Sequence, residues 1–476
     1  MFTAYTLSVL ASAAALCAAS AAPAGPPSRC CDPWDNGGYD GRGAQTSQVG
    51  FNQDWLNFGR ITLDDFWLCE GNVYKVETLR AVLCTDSIVP KATVVILRDC
   101  DGRPDLSPEG VVAIADSIPI VTSSQPLGFE CIAGEVSITE TGQTTDEGFR
   151  IIDVSAAFPG LWLKGGAYWV AVYGYSGTAD PDEQFFWGFA NDGVVRGRPG
   201  VFYDSEFGTL TDVDQLCCDC TDFAFCIEAQ TCKILLDNGG PDVSRLAPSF
   251  ASPGSVFRES RAADDVVIAP CQDRRLCFFE GYLLTNCDPP VARLEVYDNG
   301  CKLPATFSPP ARFNADCLHD TGVALNLGGT RPYKLYKAQF WDLRASDGSP
   351  FVLQEGKNYW FSLYGVGTGS QIQNAYFVGA ERCDLRCDGR TGRFNPAAVS
   401  GLGIGLTDFS WRSTADFFHA PFDLAFLIAT DDAPFRAAQT PPDRGTRTCV
   451  VDLNNDGVVS LQDLFEFLGR WYSGCP

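Results

Sequence analysis

One set of landmarks occurs twice along the chain, in the same order. Asp35-Asn36-Gly37-Gly38 returns as Asp237-Asn238-Gly239-Gly240, and Asp64-Asp65 returns as Asp264-Asp265. Cys69, Cys84 and Cys100 have counterparts in Cys271, Cys287 and Cys301 at similar spacings. Tyr168-Trp169 followed by Tyr173-Gly174 matches Tyr359-Trp360 followed by Tyr364-Gly365. Each series closes alike, Asp222-Phe223-Ala224-Phe225 against Asp423-Leu424-Ala425-Phe426. An offset that stays near two hundred residues over such a series predicts two copies of one module. So long and so few-fold a repeat is neither a solenoid nor a propeller.

The pattern inside each copy is that of strands. Val94-Val95-Ile96-Leu97 is a β-branched run that ends at Asp101-Gly102, and its partner, Val291 to Tyr297, alternates apolar with polar residues up to Asn299-Gly300. Tyr168 to Tyr173 and Tyr359 to Tyr364 are aromatic strands preceded by Gly165-Gly166 and Gly356. Neither copy carries a long amphipathic helical pattern. Short strands and frequent Gly and Pro predict an all-β chain of two tandem antiparallel β-sandwich repeats, jelly-roll-like, over 22–230 and 231–435. The DNGG opening, the acidic pair, the YW strand and the DLAF close resemble the secreted β-sandwich modules of bacterial surface proteins that carry C-terminal sorting domains. That family has no single activity to transfer.

Residues 1–21 read as a signal peptide: an uncharged apolar run from Leu7 to Ala19, then the small residues Ala19 and Ala21 before Ala22. The expected location is therefore secreted or at the extracellular cell surface. Of 21 cysteines one, Cys17, lies in that signal, which leaves 20, and an even number on an exported chain predicts disulfides. Within-repeat pairs are expected, Cys84 with Cys100 and Cys287 with Cys301. Cys217, Cys218, Cys220, Cys226 and Cys232 are dense enough for a zinc site, but no histidine lies near and exported cysteines oxidise. The formal net charge of −24 repels phosphate backbones and anionic headgroups, so nucleic acid is not an expected partner. No stretch after the signal is long and apolar enough to span a membrane.

A Pro-, Thr- and Arg-rich linker, 436–448, leads to a small unit at 449–476. There Asp452, Asn454 and Asp456 stand at positions one, three and five of a twelve-residue loop, Gly457 at six, Val458 at seven, Ser460 at nine and Asp463 at twelve. A hard cation needs such a wrapped set of oxygens, with Val458 lending only its carbonyl, so the predicted cofactor is Ca2+. Leu461, Leu464, Phe465, Leu468 and Trp471 keep helical spacing on one face, so a helix should follow. Cys449 and Cys475 flank the unit and would staple so small a fold. The segment resembles a bacterial dockerin-like calcium-binding repeat, the variant ending in Gly-Cys, here Gly474-Cys475-Pro476. The resemblance implies calcium binding and an attachment role toward a cohesin-like or cell-surface protein. Such domains pair two loops, whereas this chain has one.

Catalytic chemistry has little support. The two histidines, His319 and His419, have no counterpart in the first copy, which excludes a shared Ser-His-Asp or His-metal site. No catalytic residue is assigned. Asp64-Asp65 and Asp264-Asp265 are the best carboxylate candidates, but neighbours on a strand point to opposite faces and cannot form a dyad. Asp99, Asp101 and Asp105 around Gly102 read as a strand-end turn ahead of a cation loop. Trp34, Trp55 and Trp187 are candidates for sugar stacking. The expected function is thus a non-catalytic secreted or surface protein with paired sandwich modules for adhesion or glycan contact and a calcium-dependent attachment tail. The alternative is a secreted carbohydrate-active enzyme with an appended dockerin-like module.

Overall fold

A computed structural model describes residues 34–36, 39–50, 58–118, 132–176, 183–190, 197–198, 200–204, 209–213, 222–251, 259–268, 273–287, 290–299, 311–327, 331–367, 375–380, 393–395, 412–413 and 423–431. The segments expected to be the signal, the linker and the dockerin-like unit, with Asp452, Asn454, Asp456, Val458, Ser460 and Asp463, lie outside the described residues. The chain divides into two compact units, Met1–Lys233 and Ile234–Pro476. Among the described residues the architecture is almost entirely β, and the one complete helical element is a 3-10 turn at Pro108–Gly110.

The first unit contains β1 (Tyr39–Thr46), β2 (Gln48–Gly50), β3 (Phe58–Thr85), β4 (Pro90–Cys100), β5 (Arg103–Pro104), β6 (Val111–Asp116) and β7 (Ala133–Thr144). It continues with β8 (Arg150–Ala157), β9 (Trp162–Ser176), β10 (Phe185–Ala190), β11 (Val201–Asp204), β12 (Thr209–Asp212) and β13 (Phe225–Asp237), whose residues from Ile234 on belong to the second unit. The long β3 serves two sets of strands. Its first part pairs with β2, β9 and β11, and its second with β8, β10 and β13. The register shifts between Leu68 and Val73, beside Gly71 at φ 79°, where a turn in the left-handed region favours glycine. Alternation along the strands then sends Phe66, Leu79, Val94, Ile152, Val170 and Phe225 into one core. A second apolar layer on the other face of β9 gathers Ile61, Leu63, Val95, Ile114, Trp169, Ala171 and Tyr173.

The second unit contains β14 (Pro241–Pro248), β15 (Phe250–Ala251), β16 (Glu259–Val267), β17 (Arg274–Thr285), β18 (Ala292–Asn299), β19 (Ala311–Asn314) and β20 (Cys317–Leu325). It continues with β21 (Tyr333–Trp341), β22 (Val352–Leu353), β23 (Asn358–Val366), β24 (Ala375–Ala380), β25 (Arg393–Asn395), β26 (Arg412–Ser413) and β27 (Phe426–Asp431). Its pairings run parallel to those of the first unit. β16 takes β15, β23 and β25, while β17 takes β21, β24 and β27. β18 lies between β19 and β23 as β4 lies between β6 and β9. Even the parallel contact of β2 with β9 has its like in β15 with β23. Each residue of β23 is buried, the mark of a central strand covered on both faces. Phe279, Leu294, Phe340, Phe361, Leu363 and Phe426 make this unit's core.

Two disulfide expectations are corrected. Cys84, Cys100 and Cys287 are thiols, whereas Cys232, Cys277 and Cys317 are disulfide-bonded. The reason is strand direction. Cys84 ends β3, opposite Ile151 and Phe186, while the eleven residues of β4 carry Cys100 roughly 30 Å along an extended chain. Cys287 is likewise a buried thiol, and its expected partner, Cys301, lies outside the described residues.

Candidate functional site

The recurring acidic pairs can be followed atom by atom. Asp64 lies on the core-facing side of β3, with Phe66 and Leu68, and is closed off from solvent. Its Oδ2 accepts from Asn36 Nδ2 at 3.1 Å and from the Phe223 amide at 2.9 Å, and its Oδ1 accepts from the Asp65 amide at 3.0 Å. Asn36 in turn donates from Nδ2 to the Phe223 carbonyl and from its amide to the Phe225 carbonyl. The second unit repeats this set. Asp264 Oδ2 accepts from Asn238 Nδ2 at 3.4 Å and from the Leu424 amide at 2.9 Å, and Oδ1 from the Asp265 amide at 3.0 Å. Asn238 again donates to the Leu424 and Phe426 carbonyls. In each unit one carboxylate ties the opening Asn to the segment that leads into the closing strand. Burial pushes both carboxyls well above the ordinary range, helped by Asp222 beside Asp64 and by Asp423 beside Asp264.

Asp65 faces the other way. Its Oδ1 accepts from the Arg198 amide at 2.9 Å and its Oδ2 from Trp67 Nε1 at 3.1 Å. Gly197, at φ 119°, permits that approach, since a Cβ there would run into the Asp65 carboxylate. Burial, the largest influence, pushes the Asp65 carboxyl up to about 6 against the opposing bonds from Arg198 and Trp67. In the second unit Asp265 Oδ2 accepts from Asn358 Nδ2 at 2.9 Å, and in each pair the two carboxylates point to opposite faces of the strand and so do not form a dyad.

The other candidates resolve as structural parts. Asp99 takes the Gly102 amide, Trp169 Nε1 and Arg198 Nη1, and Asp105 takes the Ser107 amide, which makes a strand-end turn. Trp187, a candidate for sugar stacking, sits wholly inside the core against Phe223 and Phe225, and Trp34 packs on the same core. Asp320, next to His319, holds Lys334 Nζ at 2.8 Å. Trp55, His419, Cys217, Cys218 and Cys220 lie outside the described residues.

A different cluster stands out in the second unit. On the outer face of β16, β18, β19 and β23, Glu295 is 2% exposed and accepts five bonds. Oε2 takes Arg261 Nε at 2.9 Å and the Tyr297 hydroxyl at 2.6 Å. Oε1 takes Arg312 Nε at 2.9 Å, Arg312 Nη2 at 2.6 Å and the Tyr364 hydroxyl at 3.1 Å. The Arg261 guanidinium also lies 3.7 Å from the centre of the Tyr364 ring, a cation–π contact. Burial opposes ionisation of Glu295, but Arg261, Tyr297 and Arg312 outweigh it and hold the carboxyl below its ordinary value. Along β23 on this face, Trp360 Nε1, Ser362 Oγ and Asn358 Oδ1 are buried with no protein partner.

The same register in the first unit is apolar. Val95 lies opposite Ala171 and Ile114, where Glu295 lies opposite Ser362 and Arg312. Trp169 Nε1, at the position of Trp360, is satisfied by Asp99. Sequence reading missed Glu295 because a polar residue in an alternating strand looks solvent-facing. Setting Ala92-Thr-Val-Val95 against Ala292-Arg-Leu-Glu295 is the signal that would have found it.

Among the described residues, no group of three or more His, Cys, Asp or Glu side chains is placed to hold a metal ion, and no helix is long and apolar enough to cross a membrane. No protein-family model, curated protein or solved structure matches the chain.

Proposed function

We propose that the chain is a non-catalytic secreted or cell-surface protein built from two copies of one β-sandwich module, with a calcium-dependent attachment tail. The observation that carries this reading is the fate of the repeated carboxylates. Asp64 and Asp264 are spent on joining the ends of their units, through the same bonds in each. The parallel pairing schemes support duplication of a single module. Sequence supports the rest: the loop Asp452, Asn454, Asp456, Val458, Ser460 and Asp463 wraps Ca2+ and orders the helix after it, and that unit grips a cohesin-like or surface protein. The modules then serve adhesion or glycan contact, and the outer face carrying Glu295, Arg261 and Arg312 is where the second copy departs from the first.

Retention of the mature full chain on isolated cell envelopes of its source tests this reading. Wild type should be retained in calcium and released by a chelator, and Asp456→Ala should be released in both. Equal retention of both proteins with and without calcium would overturn the attachment role.

A further inference from the structure

We propose that copies of this chain associate head to tail, with the Ile88-Val89 turn of one molecule seated on Val323, Leu325 and Leu327 of the next. This goes beyond the attachment and glycan readings and depends on neither.

Among the described residues four large hydrophobic side chains are exposed, Ile88 at 80%, Val89 at 46%, Val323 at 40% and Leu327 at 45%. They form two sites, one in each unit. Ile88 and Val89 sit at the turn between β3 and β4, and that turn is braced. The Ser87 amide donates to Thr85 Oγ1 at 3.0 Å and the Thr85 hydroxyl to the Gln184 carbonyl at 2.7 Å. The Ser87 hydroxyl donates to Glu183 Oε2 at 2.5 Å and the Gln184 amide to Asp86 Oδ1 at 2.7 Å. A turn tied at so many points holds its apolar tip in one place, so docking orders little that was loose. In the second unit Val323, Leu325 and Leu327 alternate along the end of β20 and just past it, and so share a face. Leu325, half-buried against the layer of Leu284, Tyr333 and Leu335, anchors that row.

Charge identifies the occupant. Asp86 and Glu183 stand at the Ile88 turn, while Lys91, past Pro90, lies opposite Tyr175 in the sheet. The hairpin from Thr321 to Lys337 holds Arg331, Lys334 and Lys337 and no Asp or Glu. Lys334 and Lys337 reach carboxylates at its base, Asp320 at 2.8 Å and Glu280 at 3.8 Å, and the Lys334 side chain is still half exposed. One site is thus apolar within an acidic collar and the other apolar within a basic one. Copies of a chain with formal net charge −24 repel overall, so a local match of opposite sign is what brings two together.

Neither site has a like in the other unit. Asp288-Pro289 stand where the second copy would repeat Ile88-Val89. The β7–β8 hairpin shifts register at Gly142, φ 75°, as β20–β21 does at Gly322, φ 79°. From there it reads Gln143, Thr145 and Glu147 against Val323, Leu325 and Leu327. Each molecule therefore carries one site of each kind, and pairing unlike sites leaves one of each open at the ends of a dimer.

Sedimentation equilibrium of the mature full chain in chelator, over about 10 to 300 µM, tests this. The wild-type mass should rise with concentration past that of a dimer. Ile88→Asp and Leu327→Asp, both at exposed positions, should melt as wild type does and associate at least tenfold more weakly. Their equimolar mixture should recover association but stop at the dimer, because one intact site of each kind remains. A wild type that stays monomeric throughout overturns the proposal. So does either folded variant associating as wild type does, or a mixture no heavier than the variants alone. The chelator takes the calcium tail out of the measurement, so failure here leaves the envelope-retention test standing.

Discussion

Asn36 and Asp64, twenty-eight residues apart, meet over 3.1 Å inside the first unit, and Asn238 makes the same bond to Asp264 in the second. The bond explains why short motifs far apart in sequence recur as a set. The opening Asn, the first Asp of each acidic pair and the Phe-Ala-Phe or Leu-Ala-Phe close are parts of one hydrogen-bonded joint.

Removing that joint should cost stability in proportion to the donors left behind. Asp64→Ala strands the Phe223 amide and one N–H of Asn36 Nδ2, whose other N–H stays on the Phe223 carbonyl, at about 1–3 kcal/mol per buried group. Asn36→Ala leaves the Phe223 amide satisfied and should cost less. Urea unfolding of the two variants beside wild type checks the order, and an Asp64→Ala protein as stable as wild type would contradict it.

The Asp65 carboxyl carries a pH signature. Its folded value is about 6 against an ordinary 3.8. Below 3.8 the proton is present in folded and unfolded states alike. Between the two values only the folded protein keeps it, so this contribution to stability is lost as pH rises through about 6. In Asp65→Asn the difference in melting temperature from wild type should change across pH 4–7; a constant difference would contradict the shift.

Glu295 titrates with the opposite sign. Its folded value is lowered from 4.5, so its contribution is present above 4.5 and lost as pH falls through the lower folded value. Glu295→Gln strands Arg261 in a largely buried position and should cost about 3–5 kcal/mol, measured by urea unfolding at pH 7. Arg312→Ala should cost less, because that side chain is half exposed.

Cysteine chemistry checks the chain trace. Cys84 and Cys287 are buried thiols whose values burial raises, so maleimide should label them only after denaturation. Peptide mapping without reductant should show no Cys84–Cys100 link. Finding that link would contradict the path of β4.

The all-β class was legible in the sequence, because alternation, Gly turns and β-branched runs act locally. The disulfide pairing was not, since flanking a strand says nothing of how far it carries its second cysteine, as Cys84 and Cys100 show. Trp187 failed as a surface candidate for a related reason: its partners Phe223 and Phe225 come from a distant closing strand. Glu295 was hidden because one strand's pattern cannot tell a covered outer face from a wet one. Arg261 and Arg312, arriving from β16 and β19, together with the Tyr297 and Tyr364 hydroxyls make its burial tolerable.

The most direct test of the central claim is reducing-end release from a panel of neutral and acidic oligosaccharides by wild type and by the double variant Asp64→Asn, Asp264→Asn. The account predicts no release above blank by either protein, with the double variant folded and melting at a lower temperature. Release by wild type that disappears in the folded double variant would contradict it and make these carboxylates catalytic.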